Sequence, residues 1–172
     1  MVVQALAHLN GEPAMLVIIG CGNPNRSDDG AGIAVVHKLV ECYRDGLPRS
    51  VRIFDAGTDG MAVMFMARGA TSLIIADASV TGAESGAIHE VPGEELEGKP
   101  PDSHTLHDFR WDHALYAGKQ IFRENFPRDV SVYLIEASSL SLGLELSEPV
   151  AASVDRVADM IRTRIESYAA DQ

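Results

Sequence analysis

The chain has 172 residues, 46% hydrophobic and 23% charged, a balance that suits one globular domain with a core of its own. Its formal net charge of −11 excludes the basic face that a nucleic-acid backbone or an anionic membrane requires. No apolar run approaches the roughly 20 residues that span a bilayer, and the start lacks the pattern of a secretory signal, so the expectation is a cytoplasmic protein with neither nucleic acid nor membrane as partner.

Residues 1–14, with Gln4, His8, Asn10 and Glu12, read as an extension ahead of a single domain over 15–172. Residues 15–20 are a short continuous apolar run, the mark of a buried strand. The run breaks at Gly20-Cys21-Gly22-Asn23, reaches the paired acids Asp28 and Asp29, and enters a helix over 31–44 through Gly30-Ala31-Gly32. In that helix Ile33, Val36, Val40 and Tyr43 recur at helical spacing, one of the two aspartates is placed to cap its start, and Gly46-Leu47-Pro48 ends it. Residues 51–55 form a second strand ending at Asp55, and the loop Ala56-Gly57-Thr58-Asp59-Gly60 leads to a helix over 61–68.

A third strand, 72–78, again ends in an acid, Asp77. Residues 87–91 form a short strand, and the polar stretch 94–103, with Gly98, Pro100 and Pro101, reads as a loop. A helix over 106–124 carries Trp111, Leu115 and Ile121 on its apolar side, and 130–136 is another strand. Ser147-Glu148-Pro149 opens the last helix, in which Val150, Val154, Val157, Ile161 and Ile165 fall at spacings of three and four. Strands alternating with helices predict a single-domain three-layer α/β sandwich, a mostly parallel twisted sheet with helices on both faces. Ligands bind such sheets beyond the carboxyl ends of the strands, so Gly20–Asp29, Asp55 and Asp77 should share one rim.

The glycine-rich loop fails as a nucleotide cradle. Gly20 and Gly22 begin a G-x-G pattern, but the third position is Asn25, the next strand-end acid is Asp55, far beyond the usual distance of about 20 residues, and no Gly-Lys-Ser/Thr follows. No organic cofactor is expected, and the glycines are left to let a substrate approach the backbone closely. Of the paired acids, one suffices to cap the helix and the other is free for chemistry. Asp77 follows apolar neighbours, where a carboxylate needs partners or water. For Asp55 the plain alternative is an Asx-type acceptor for the Gly57-Thr58 turn. Cys21 reads as a small buried thiol, and with Cys42 makes neither a disulfide framework nor a zinc spacing. His104 and His107 flank a helix start, and an ordinary surface histidine is the plain reading of each. A histidine joined to two strand-end aspartates would nevertheless suit a divalent metal of borderline hardness.

Taken together, Gly20-Cys21-Gly22-Asn23 with Asp28–Gly32, Asp55–Met61, Leu73–Ala78, the His107 segment and Leu146-Ser147 resemble the nickel–iron hydrogenase maturation endopeptidases, over about residues 15–165. The resemblance implies a twisted sheet sandwiched by helices. It also implies removal of a C-terminal extension from the immature hydrogenase large subunit after nickel insertion. Carried over by position, Asp29, Asp77 and His107 are the implied catalytic and metal-contacting residues, with His104 as a rival to His107, which leaves Asp28 as the better candidate for the helix cap. The nickel would be contributed by the substrate. Asp55, Gly57 and Thr58 would help to position the substrate tail. Two other readings stay open: a metal-dependent hydrolase with its own bound metal, and a non-enzymatic nickel-site chaperone.

Overall fold

The computed structural model describes residues 15–96 and 111–171. In chain order these form β1 (Leu16–Cys21), α1 (Ala31–Cys42), β2 (Val51–Gly57), α2 (Gly60–Ala67), β3 (Ser72–Ser79), β4 (Ile88–Pro92), the single turn α3 (Gly93–Leu96), α4 (Trp111–Phe122), β5 (Asp129–Glu136) and α5 (Glu148–Ala170). The sheet order is β2-β1-β3-β5-β4. The pairs β1–β2, β1–β3 and β3–β5 are parallel, and β4 runs antiparallel along the edge of β5. The short link from β3 to β4 contains no helix, and a parallel return needs a crossover of a dozen or more residues. The chain therefore folds back, and β5 enters between them.

Two apolar layers follow from the alternation of side chains along the strands. Leu16 and Ile18 of β1 join Ile74 and Ala76 of β3 beneath α1 and α5, where Val35, Leu39, Val154, Val157 and Ile161 are buried. Val17 and Ile19 join Leu73 and Ile75 beneath α2 and α4 with Val63, Trp111 and Leu115. This is the expected three-layer α/β sandwich. All six residues of β1 are buried, the reason its sequence is continuously apolar rather than alternating.

Several expectations are corrected in detail. Val40 is exposed and Leu39 fills the core place on α1. Ile121 is 61% exposed, because it lies well off the direction shared by Trp111, Leu115 and Gly118; Phe122, about three turns from Trp111, packs against the core instead. The polar stretch expected to be loop from residue 94 begins with a helical turn, α3. The proposed extension 1–14, the expected helix start at 106–110, and both His104 and His107 lie outside the described residues. No helix among the described residues is long and apolar enough to cross a membrane.

Candidate functional site

The chain leaves β1 for β2 on one side and later returns to β3 on the other, so the carboxyl ends of β1 and β3 form the topological switch point of the sheet. Register sets the rim: Gly20 stands opposite Asp55 on β2 and opposite Ala76 on β3, one residue before Asp77. Gly22 then turns the chain at φ 124°, a conformation that favours glycine. A Cβ at Gly22 would lie 1.8 Å from the Asp29 carbonyl oxygen and 3.5 Å from Asp77 Oδ1. The Asn23 amide closes the loop by donating to the same Asp29 carbonyl at 3.1 Å. The structure thus sets the Asp29 backbone and the Asp77 carboxylate on either side of Gly22.

Asp77 is buried and shares the face of β3 that α4 covers. Its Oδ1 accepts from the Ala78 amide at 2.8 Å, and its Oδ2 accepts from Trp111 Nε1 at 2.6 Å. Trp111 was expected only as part of an apolar stripe. It also sets the position of the candidate carboxylate from across the layer. The available signal was chemical: a tryptophan opening an amphipathic helix needs a partner for its indole N–H once buried.

Asp28 does not cap the helix. Gly30 is the N-cap of α1, no side chain caps it, and residues 27–30 form a 3-10 turn. The Asp28 carboxylate instead points across the molecule. Oδ2 accepts from the amides of Ser138 and Ser139 at 2.8 and 3.0 Å and from Ser147 Oγ at 2.9 Å. Oδ1 accepts from the Ser147 amide at 2.7 Å. Burial opposes the charged form, but the amides of Ser147, Ser138 and Ser139 and the Ser147 hydroxyl outweigh it, holding the carboxyl below its ordinary value. Asp28 therefore clamps the 137–147 connection and the start of α5 beneath the rim. Asp29, half-buried beside it, takes no part in this clamp.

Asp55 accepts from the Gly57 amide at 2.9 Å through Oδ1, the Asx-type arrangement, and pairs with His37 Nε2 at 3.0 Å through Oδ2. The Gly57 carbonyl accepts from the Gly22 amide at 2.9 Å, which joins this turn to the glycine-rich loop. Thr58 is exposed beyond it. Asp59 caps α2, accepting from the Ala62 amide at 3.0 Å. A third buried carboxylate, Glu136 at the end of β5, escaped the sequence reading. It accepts from Ser79 Oγ, from the Thr81 amide and hydroxyl and from the Gly82 amide, and holds the β3–β4 connection.

The glycines do not leave room for a substrate. A Cβ at Gly20 would meet the Gly32 carbonyl oxygen at 2.4 Å, and one at Gly32 would meet the Ala76 and Cys21 carbonyl oxygens at 2.1 and 2.4 Å. They let α1 close against β1 and β3, and the space is filled by the protein itself. Cys21 is buried, as expected.

A carboxylate such as Asp77 at the rim, with Asp29 on the adjoining loop, can contact a divalent metal or take a proton as general base. Among the described residues no three His, Cys, Asp or Glu side chains are grouped to hold a metal ion. Comparison with known proteins bears on the chemistry. Residues 33–164 match the family model described as hydrogenase maturation protease. The chain is 26% identical over 147 residues to the hydrogenase 2 maturation protease of Escherichia coli, covering 85% of this chain and 87% of that one. It is 28% identical over 149 residues to the hydrogenase expression/formation protein HupM of Azotobacter chroococcum, covering 86% of this chain and 69% of that one. The E. coli hydrogenase maturating endopeptidase HybD shares its fold with a TM-score of 0.72 at 23% identity, over 90% of this chain and 93% of that one.

Proposed function

The chain belongs to the hydrogenase maturation protease family, and from that premise we propose that this endopeptidase removes the C-terminal extension of a nickel–iron hydrogenase large subunit after nickel insertion. The observation that supports the reading is the position of the Asp77 carboxylate beside Gly22, across from the Asp29 backbone, at the switch point of the sheet. In this reading the nickel belongs to the substrate, held by the substrate's own ligands. Asp29 and Asp77 contact it, with His107 as the third contact that the sequence resemblance implies. Nickel polarises the scissile carbonyl as a Lewis acid, and a carboxylate that is not engaged with it serves as general base to the attacking water. The turn at Asp55, Gly57 and Thr58, tied by hydrogen bond to the glycine-rich loop, supports the substrate tail.

The test is mass spectrometry of nickel-loaded and nickel-free large-subunit precursor after incubation with the purified protein. The expected result is loss of a C-terminal segment from the loaded precursor alone. Asp29→Asn should abolish that loss while leaving the thermal unfolding curve unchanged. Binding without cleavage in any nickel state would replace the protease with a nickel-site chaperone. Stoichiometric, tightly held metal in the purified protein would point to a hydrolase with a resident ion.

A further inference from the structure

One sequence pattern is not used by the chemistry above. In Ser138-Ser139-Leu140-Ser141-Leu142-Gly143-Leu144-Glu145-Leu146-Ser147 the leucines alternate strictly, the period of a strand with one apolar face. The segment forms no strand: only Gly143 makes a bridge, parallel to Arg26, and the chain bends on both sides of it. Gly143 uses both of its backbone groups there, donating to the Asn25 carbonyl at 3.1 Å and accepting from the Ser27 amide at 2.8 Å. Arg26 Nε adds a bond to the Leu140 carbonyl at 3.1 Å. The Asp28 clamp fixes both ends of the segment. It is thus rigidly attached to the glycine-rich loop that carries Asp29.

What this attachment presents outward is unpartnered. Leu146 packs against the core, whereas Leu142 and Leu144 are 87% and 80% exposed. The amides of Leu142, Leu144 and Glu145 find no acceptor among the described residues. Beside them lies an open cleft of about 580 Å³, bounded by Ser27, Ser139, Leu144, Glu145 and Leu146. Single exposed leucines are ordinary, but two flanking free amides at a cleft form a surface suited to an extended peptide, which supplies carbonyl acceptors and apolar side chains together. Apart from the buried Asp28, the charges of the two joined segments and the helix start that follows are Arg26 against Asp29, Glu145 and Glu148, so the complementary peptide is net positive.

We propose that residues 140–146 dock an extended, aliphatic and net-basic segment of the large-subunit precursor next to its cleavage site, covering Leu142 and Leu144. This rests on the protease reading above. The experiment is steady-state cleavage of nickel-loaded precursor by the wild type, by Leu142→Asp/Leu144→Asp and by Glu145→Lys, with thermal unfolding and sedimentation of each. The leucine variant should raise KM about tenfold or more and hold kcat within about twofold, without loss of thermal stability. Glu145→Lys should raise KM at low salt, by a factor that shrinks as salt is added. Unchanged KM in the leucine variant, with wild-type cleavage intact, overturns the docking site and leaves the protease standing. A wild-type dimer that the leucine variant converts to monomer at unchanged KM makes the surface a self-interface and also overturns it. A wild type that neither binds nor cleaves the precursor removes both readings.

Discussion

Replacing Asp28 by Asn keeps the shape of the clamp and removes its charge. Oδ2 accepts three donors and Oδ1 accepts one, all from the 137–147 connection and the start of α5. Asn can turn its single carbonyl oxygen toward the three-donor side, where the bonds lose their charge assistance. Its NH2 group then faces the Ser147 amide, donor against donor, in a site where Asp28 is 0% exposed. One charge-assisted bond lost at about 2 kcal/mol, with the buried amide left unsatisfied and the others weakened, gives about 3 kcal/mol. For a chain of this size that is a fall of about 6–12 °C in Tm, within the reserve of an ordinary domain. The pH dependence is diagnostic. Because the folded-state carboxyl lies below its ordinary value, its contribution is full above the unfolded value of about 4 and is lost as pH falls through the folded one. Asn does not titrate, so the Tm gap between wild type and variant should be widest near neutrality and close on acidification. Calorimetry between neutral and strongly acid pH measures this. A Tm within about 1 °C of wild type at pH 7, or a gap independent of pH, would refute the assignment of Asp28 as a charged clamp.

Two further substitutions probe the surroundings of Asp77. Gly32→Ala should be the more damaging to the fold, because the new Cβ collides with backbone oxygens of two neighbouring strands and no rotamer relieves it; the expected loss is more than about 3 kcal/mol, read as poor soluble yield or a Tm lowered by more than about 10 °C, and a native-like melt would count against the close approach of α1. Trp111→Phe keeps the ring in its apolar layer and deletes the 2.6 Å bond to Asp77 Oδ2, so kcat on the precursor should fall about tenfold or more with KM near the wild-type value. A purely packing role for Trp111 would instead lower Tm and leave kcat unchanged.

The layered architecture was legible because it is written in local periodicity. The unbroken apolar run of β1 could only be a strand covered on both faces, and the Val150–Ile165 stripe could only be one buried face of a helix. Strand ends at Asp55 and Asp77 place both residues on the rim from the sequence pattern alone, since parallel strands present their carboxyl ends together. The candidate site was legible only in part. Which of two adjacent aspartates faces the rim depends on partners 110 and more residues away: Asp28 is claimed by Ser138, Ser139 and Ser147. A separation of 34 residues likewise hid Trp111 as a partner of Asp77, because an indole N–H leaves no periodic trace.

The glycines show the division most plainly. Composition alone marked Gly20, Gly22 and Gly32 as places where a side chain is not tolerated, but not what excludes it. That is decided by packing, where backbone oxygens of the 27–30 turn, α1, β1 and β3 come within about 2.5 Å of where a Cβ would stand. By itself the sequence determined periods, strand order of polarity and the residue types available at each end. Tertiary structure decided which of them meet, because a hydrogen bond between distant segments depends on closing the chain around a core that no local pattern encodes.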